Sequence, residues 1–464
     1  MTLSFFQKII RPIFGEFTPE ELKKFLRMGA VFAFIIGSYW TLRPLKKALF
    51  CTLVGAADTP WAKTGSLLLI VPIIMLYTKL LDIYGREKTF YIISGLYGCL
   101  AVIFTGLIAF TPTPENVCAL GSNIWGTYGG VIIGYAFYFF VESYGSMIPA
   151  LFWAIATDTT KPESAKKGFS FVVALGQLGG IVGPYAIAGL PHRLGLATSA
   201  LSLFICALTI GLSMFFLRRF FTKTPSEYLS SFHGNNEVKE ESKHEAGFFE
   251  GLRLLLKHKY LLAIFAIIAF PEIITTIIDL HFDTLASQQY SGTALAHYLG
   301  LYGSSVNIVA LLFLLCGVGN INRIFGVGVS LFLMPVIYGL AVLGFISLDS
   351  LNFLFMLMVS SKAINYALNG PAIKQLYIPT TPDVRLKSQA WIESFGSRGS
   401  KQAGSIFNLG LKPLQKQLGA VAGRARHALY SSYLSFTLIL AWFFIALYLG
   451  RKHKKAITEN KVVC

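Results

Sequence analysis

Charged side chains stand inside apolar runs of this sequence, and their types and spacing suit the handling of an anion. At the end of the first run, Arg43, Lys46 and Lys47 fall at i, i+3 and i+4 and so share one face of a helix. Counted from Met28 at about 1.5 Å per residue, Arg43 lies roughly 22 Å along the axis, inside a hydrocarbon layer about 30 Å thick. An unpaired charge near the centre of that layer costs about 2.5–3.5 kcal/mol, so the face should look into water or onto an anion. The plainer alternative is a helix that ends near Leu42 and leaves the cations among the headgroups. Glu142 sits mid-run between Phe139 and Ser146, with Trp153 three turns on. Glu272 and Asp279 are seven residues apart, hence on one face, beside a kink expected at Pro271. Lys362 and Lys374 bracket another run that holds Asn365, Tyr366 and Asn369, and Arg398 and Lys401 share a face amid Gly396, Gly399 and Gly404.

Each of these has a structural alternative. Glu142 fits a lysine partner that ties two helices together, Asp279 fits an interface, and Lys374 fits a cytoplasmic mouth where its stem snorkels. Taken as a set they describe a cavity lined from both halves of the chain, rich in positive charge and balanced by a few carboxylates. Arginine grips phosphate through two donors at once and lysine supplies a mobile point charge, so a small polyanion is the expected occupant. Trp40, Tyr144, Trp153 and Tyr366 are available to stack on a base, although packing explains each of them singly. An enzyme is not expected: there is no G-x-x-x-x-G-K-[ST] loop, so any ATP would be cargo, and no Asp-rich pair or metal cluster suits membrane-surface catalysis. The six cysteines are scattered without metal spacing, so neither zinc nor another cofactor is expected.

The elements that must hold these charges are membrane helices. Of 464 residues, 54% are hydrophobic and only 14% charged, which excludes an ordinary soluble domain. The net charge of +17 has too little polar sequence around it to serve nucleic acid and is read as topology. Apolar runs at 28–49, 64–81, 90–110, 128–155, 169–190, 197–217, 260–281, 296–317, 325–348, 351–370, 390–411 and 430–450 predict about twelve transmembrane helices, the eleventh weakened by Arg398 and Lys401. Lys and Arg concentrate before the first run and after the second, fourth, sixth, eighth, tenth and last, which places both termini in the cytoplasm. One stretch dissents: 412–426 carries Lys412, Lys416, Arg424 and Arg426 on the expected outer side. A polar segment at 218–258 divides the chain into an N-terminal six-helix bundle, 1–217, and a C-terminal bundle with a cytoplasmic tail, 259–464. Two bundles about a central linker is the layout of major facilitator transporters. After the second run, Asp82 to Lys88 resembles the D-x-x-G-R-x-K loop of that superfamily, with Asp82 and Arg86 as gating residues; a positive-inside turn capped by Gly85 is the alternative. Asn320 to Gly326 echoes it weakly in the second half.

Several stretches together resemble the nucleotide transporters of plastids and intracellular bacteria, the ATP/ADP translocases and their relatives. Leu42 to Lys46 resembles the family's L-R-D-T-K-D, Glu142 to Ser146 with Phe152-Trp153 its E-L-W-G-S…F-W, and Lys259 to Leu262 its K-Y-L-L. Pro371 to Pro379 with Lys387, Gly396, Arg398, Lys401 and Gly404 resembles its P-x-K-E-M-A-Y-I-P…G-x-R-x-G-K-x-G, and the likeness runs from about Phe17 to Tyr448. By position, the resemblance implies functional charges at Lys46, Glu142, Asp279 and Lys374. The chain departs from the family at Lys47, where an acid is usual, and at Asp279, where glutamate is usual. The resemblance thus implies a secondary transporter of nucleoside di- or triphosphates or NAD-like anions, working by alternating access as exchanger or proton symporter. Arg43, Lys46, Glu142, Asp279, Lys374, Arg398 and Lys401 would bind substrate. A carrier of another organic anion, such as a sugar phosphate, is the alternative. A monomer in a bacterial inner membrane, with lipid as its other partner, is expected.

Overall fold

The computed structural model describes residues 16–109, 124–160, 162–229, 248–315, 327–347, 350–365, 369–377, 379–380, 388, 391–392, 396–459 and 463. Every regular element among them is helical. Nine of these helices are long and apolar enough to cross a membrane, and their outward rows of Leu, Ile and Phe, such as Leu96, Ile103 and Phe204, suit lipid as solvent. The chain is an integral membrane protein.

The first helix, α1 (Pro19–Leu53), starts at a capping box: Thr18 accepts from the Glu21 amide and the Glu21 carboxylate accepts from the Thr18 amide. Of the basic residues in its first turns, Lys23 pairs with Glu20 at 2.7 Å, and two others reach across to neighbouring helix ends. Lys24 donates at 2.5 Å to the Thr159 carbonyl, at the end of α3 (Ile124–Asp158), and Arg27 donates at 2.5 Å to the Lys223 carbonyl, at the end of α5 (Ala200–Lys223). Cations there satisfy helix-end carbonyls and complement the negative ends of the dipoles.

Between α1 and α3 runs α2 (Thr59–Ala109), which joins the expected runs 64–81 and 90–110 through a kink at Gly85. There φ is 71° and ψ 172°, a conformation reserved for glycine. α4 (Pro162–Val182) continues as a π-helical turn, Gly183–Ala188, and meets α1 backbone to backbone: a Cβ on Gly37 would come 3.3 Å from the Gly179 carbonyl, and one on Gly179 would strike that of Ala33. Small residues are what let two membrane helices approach this closely.

Next come α6 (Phe248–Lys257), α7 (Lys259–Gln289), α8 (Gly292–Leu315), α9 (Val327–Ser347), α10 (Leu351–Ile364) and α11 (Gly370–Leu376). The last three are α12 (Ser397–Asn408), α13 (Leu411–Leu418) and α14 (Ala420–Thr458). The described part of the eleventh apolar run is the twelve-residue α12. The dissenting stretch 412–426 is helical, in α13 and the start of α14, with Gly419 at φ 84° between them. Its Lys412 is paired with Asp58 at 2.5 Å.

Cα proximity groups the chain into two compact units, one of Met1–Gly55, Gly65–Glu237 and Ser287–Asn307, the other of Ala56–Thr64, Val238–Ala286 and Ile308–Cys464. In the first, Gly300 of α8 packs on Pro184, Ser304 donates at 2.8 Å to the Ile181 carbonyl and Asn307 at 3.1 Å to that of Gly180. In the second, α9 and α14 pack through Gly328 against Gly450 and through Tyr338 against Trp442, 5.3 Å between ring centroids.

Candidate functional site

In the first unit α1 does not stop at Leu42. It continues through Pro44 to Leu53 and carries Lys46 into the interior, only 6% exposed. A buried ammonium requires a partner, and Lys46 has one in the Glu142 carboxylate of α3. Its Nζ also lies 4.3 Å over the Tyr138 ring, one turn before Glu142, where the negative face of the ring adds to the attraction. Glu142 is 40% exposed, so half of the pair keeps access to solvent.

The residues after Glu142 each have a task that their types explain. Ser143 donates to the Phe140 carbonyl at 3.0 Å, and Tyr144, fully buried, donates to that of Ile35 at 3.4 Å. Gly145 makes room for the Tyr39 ring, which any Cβ would strike. Tyr39 and Trp40 in turn flank the Arg43 guanidinium, 5.6 and 4.8 Å from their centroids. Trp40 is wedged against Gly180 of α4 and Gly303 of α8. So Glu142 to Gly145 holds Lys46 directly and Arg43 by way of Tyr39. Of the aromatic residues considered for stacking on a base, Tyr144 is sealed in the core and Trp153 packs on Phe32, Phe152 and Phe169.

The second unit repeats the chemistry on other helices. Asp279 of α7 takes Lys362 of α10 through both carboxylate oxygens, at 3.0 and 3.3 Å, with both side chains largely buried. Two turns earlier on the same face, Glu272 pairs with Lys401 of α12 at 3.6 Å and accepts from Ser397 at 3.3 Å. Arg398 lies partly buried one turn before Lys401. α12 closes on α7 through its glycines: a Cβ at Gly396 would come 2.9 Å from Phe265, and one at Gly404 2.9 Å from the Ile273 carbonyl. Tyr260 donates at 2.9 Å to the Leu376 carbonyl, which caps α11.

Of the gating residues, Arg86 is exposed and donates to the Ala154 carbonyl of α3 at 3.3 Å. The side chains of Asp82 and Lys374 lie outside the described residues. Sequence reasoning missed that Lys362 is the partner of Asp279, although both had been noted as charges inside apolar runs. It also missed a pair of buried histidines, His281 of α7 and His427 of α14, whose ring nitrogens meet at 3.1 Å.

A sequence profile of the TLC ATP/ADP transporter family matches residues 2–357. The ADP,ATP carrier protein 1 of Rickettsia bellii is 24% identical over 99% of this chain and 98% of its own length. That of Chlamydia trachomatis serovar D is 24% identical over 91% and 87%. Among solved structures, the nucleoside transporter NupG superposes with a TM-score of 0.61 over 91% of this chain and 98% of its own, at 14% identity. That likeness is one of fold, and the fold is of the major facilitator type.

Proposed function

Because the chain belongs to the TLC ATP/ADP transporter family, it is a nucleotide transporter of the membrane and not an enzyme, and we propose that it works as a secondary carrier by alternating access. The observation that carries the mechanism is the Lys46–Glu142 pair, in which a buried cation is neutralised by a carboxylate that solvent reaches. An arriving phosphate brings more charge and more acceptor oxygens than a carboxylate, so it can take Lys46 from Glu142 while Arg43 offers its planar donors alongside. Departure of the phosphate returns Lys46 to Glu142, and the lysine is compensated at both ends of the cycle. Asp279–Lys362 and Glu272–Lys401 offer the same exchange of partners in the second unit, and Lys374 and Arg398 complete the phosphate-binding set. Asp82 and Arg86 serve as gating residues at the kink set by Gly85.

Residues 1–217 and 259–464 act as two bundles joined by 218–258. The protein is a monomer of a bacterial inner membrane, with both termini cytoplasmic and lipid rather than nucleic acid around it. The distribution of Lys and Arg supports that orientation, and the bacterial carriers named above support the location.

A competition panel in proteoliposomes tests the reading, with ATP, ADP, GTP, UTP, NAD and sugar phosphates set against labelled ATP. Nucleotides compete and sugar phosphates do not; the reverse result would assign the chain to another organic anion. Lys46→Ala and Lys374→Ala each lower uptake by about tenfold or more, the worth of one charge-assisted phosphate contact. Normal uptake in both variants would remove those residues from the site.

A further inference from the structure

We propose that the outward side of α14, near its C-terminal end, is a binding site for one anionic phospholipid. Arg451, Lys452 and Lys455 hold the headgroup phosphate, and the acyl chains lie along Phe444, Leu447 and Tyr448. The inference stands on the membrane character of the chain and is independent of what it transports.

The other side of the helix is fixed in the second unit. Trp442, Ala446 and Leu449 are fully buried, Gly450 packs on Gly328 of α9, and His453 donates from Nε2 at 3.2 Å to the Gln375 carbonyl of α11. The outward side carries a groove of about 350 Å³ lined by Phe444, Leu447, Tyr448, Arg451, Lys452 and Lys455. Phe444, Tyr448, Arg451 and Lys455 follow one another at helical spacing, so a single stripe turns from aromatic to basic along the groove. Both rings and all three cations are exposed.

The depth of each residue matches a part of a lipid. The apolar run 430–450 covers about 30 Å at about 1.5 Å per residue, which is the thickness of the hydrocarbon layer. Arg451 therefore stands at the edge of that layer, with Phe444 roughly 10 Å inside it and Lys455 roughly 6 Å outside. The headgroup zone adds about 5–7 Å on each side, so the three cations lie where lipid phosphates lie. Tyr448 takes the boundary position that suits an aromatic ring with a polar tip. Phe444 and Leu447 run beside the first methylenes of the chains.

The charges of the groove are available to an anion. Arg451 and Lys452 make no hydrogen bond or ion pair among the described residues. Lys455 is paired with Glu459 at 3.7 Å, a long contact between exposed side chains that contributes little. Three cations against that one carboxylate leave the groove with two positive charges. A phosphodiester offers one negative charge and oxygens that Arg451 can take two at a time. In phosphatidylcholine a quaternary ammonium on the same headgroup offsets that charge, whereas in phosphatidylglycerol nothing does. Cations at a helix end would by themselves only set orientation; the recess and its two rings give the chains a seat, so the site selects a whole lipid and not a free phosphate.

The test uses the full chain purified in detergent with equal amounts of phosphatidylglycerol and phosphatidylcholine, and native mass spectrometry reads what stays bound. The wild type retains one phosphatidylglycerol in preference to phosphatidylcholine by about tenfold or more, since each cation at a membrane surface is worth about fivefold. Phosphatidylglycerol also raises its unfolding temperature, as a ligand of the folded state must. Arg451→Gln with Lys452→Gln and Lys455→Gln abolishes both effects. Arg451→Gln alone lowers the preference by about fivefold, so the test survives a triple variant that fails to fold. Tyr448→Ala keeps every cation and still weakens retention severalfold, because a ring beneath the chains is gone. Arg218→Gln with Arg219→Gln, which removes exposed cations near the end of α5, leaves the preference as it was. A wild type without the preference would overturn the proposal, as would an Arg451→Gln protein that keeps all of it. Equal loss in the α5 variant would reduce the effect to scattered surface charge, and displacement of the lipid by an equal concentration of glycerol phosphate would reduce it to a bare phosphate site; either result overturns it.

Discussion

Replacing Glu142 by glutamine leaves the Lys46 ammonium in place, 6% exposed, with the Tyr138 ring but no carboxylate at the position that neutralised it. Breaking a fully buried pair on one side costs about 3–5 kcal/mol, and the 40% exposure of Glu142 admits water that relieves part of it, so about 2–3 kcal/mol is expected. Removing the charge as well, in Lys46→Met with Glu142→Gln, deletes the need for a partner. An apolar side chain of similar volume in place of a buried ion is often neutral or stabilising. Thermal unfolding of the purified protein in one detergent therefore ranks wild type and double variant together and the single Glu142→Gln below both. ATP homoexchange in proteoliposomes gives a different order: the double variant, stable as it is, transports least, because the cation that receives the phosphate is gone. A Glu142→Gln protein as stable as wild type would refute the burial argument, and a double variant that transports normally would refute the partner exchange.

In the second unit, Asp279→Asn removes the carboxylate charge from its pair with Lys362 and lowers stability by about 3 kcal/mol, more than Asp279→Glu does, measured by the same unfolding assay. Gly85→Ala forces a side chain into φ 71° and ψ 172° and costs on the order of 1–3 kcal/mol, visible as a lower unfolding temperature with little change in the KM for ATP. Lys47→Asp reverses one charge beside Lys46; it raises the KM for ATP more than that for ADP, since the more highly charged nucleotide feels the change more. Equal KM changes for the two would separate Lys47 from substrate choice.

The membrane character, most of the helices and the charges worth noticing were readable in the sequence, because long apolar runs admit few folds and a charge inside one stands out. What a run cannot show is which other run it meets. Glu142 was read as a ligand or as a lysine's partner, and only the meeting of α1 with α3 shows that it is paired with Lys46. Asp279 and Lys362 lie 83 residues apart, and no periodicity ties them together. His281 and His427 escaped notice for the same reason: a lone histidine on an apolar helix carries no signal until a second one, 146 residues away, comes to face it. The cations at 412–426 looked like an outer loop because charge suggests loop, whereas Lys412 is neutralised by Asp58 and the stretch is helical. Of the three glycines expected to permit close helix approach, Gly396 and Gly404 meet α7, whereas a Cβ at Gly399 would find open space.

Equilibrium binding of labelled ATP to the purified protein, compared between wild type and Lys46→Met, tests most directly whether the buried lysine receives the phosphate. Loss of one charge-assisted contact of about 1.5–3 kcal/mol weakens binding by roughly 10- to 150-fold, with Glu142→Gln supplied as a partner change to keep the fold intact. Wild-type affinity in the Lys46→Met, Glu142→Gln protein would contradict it.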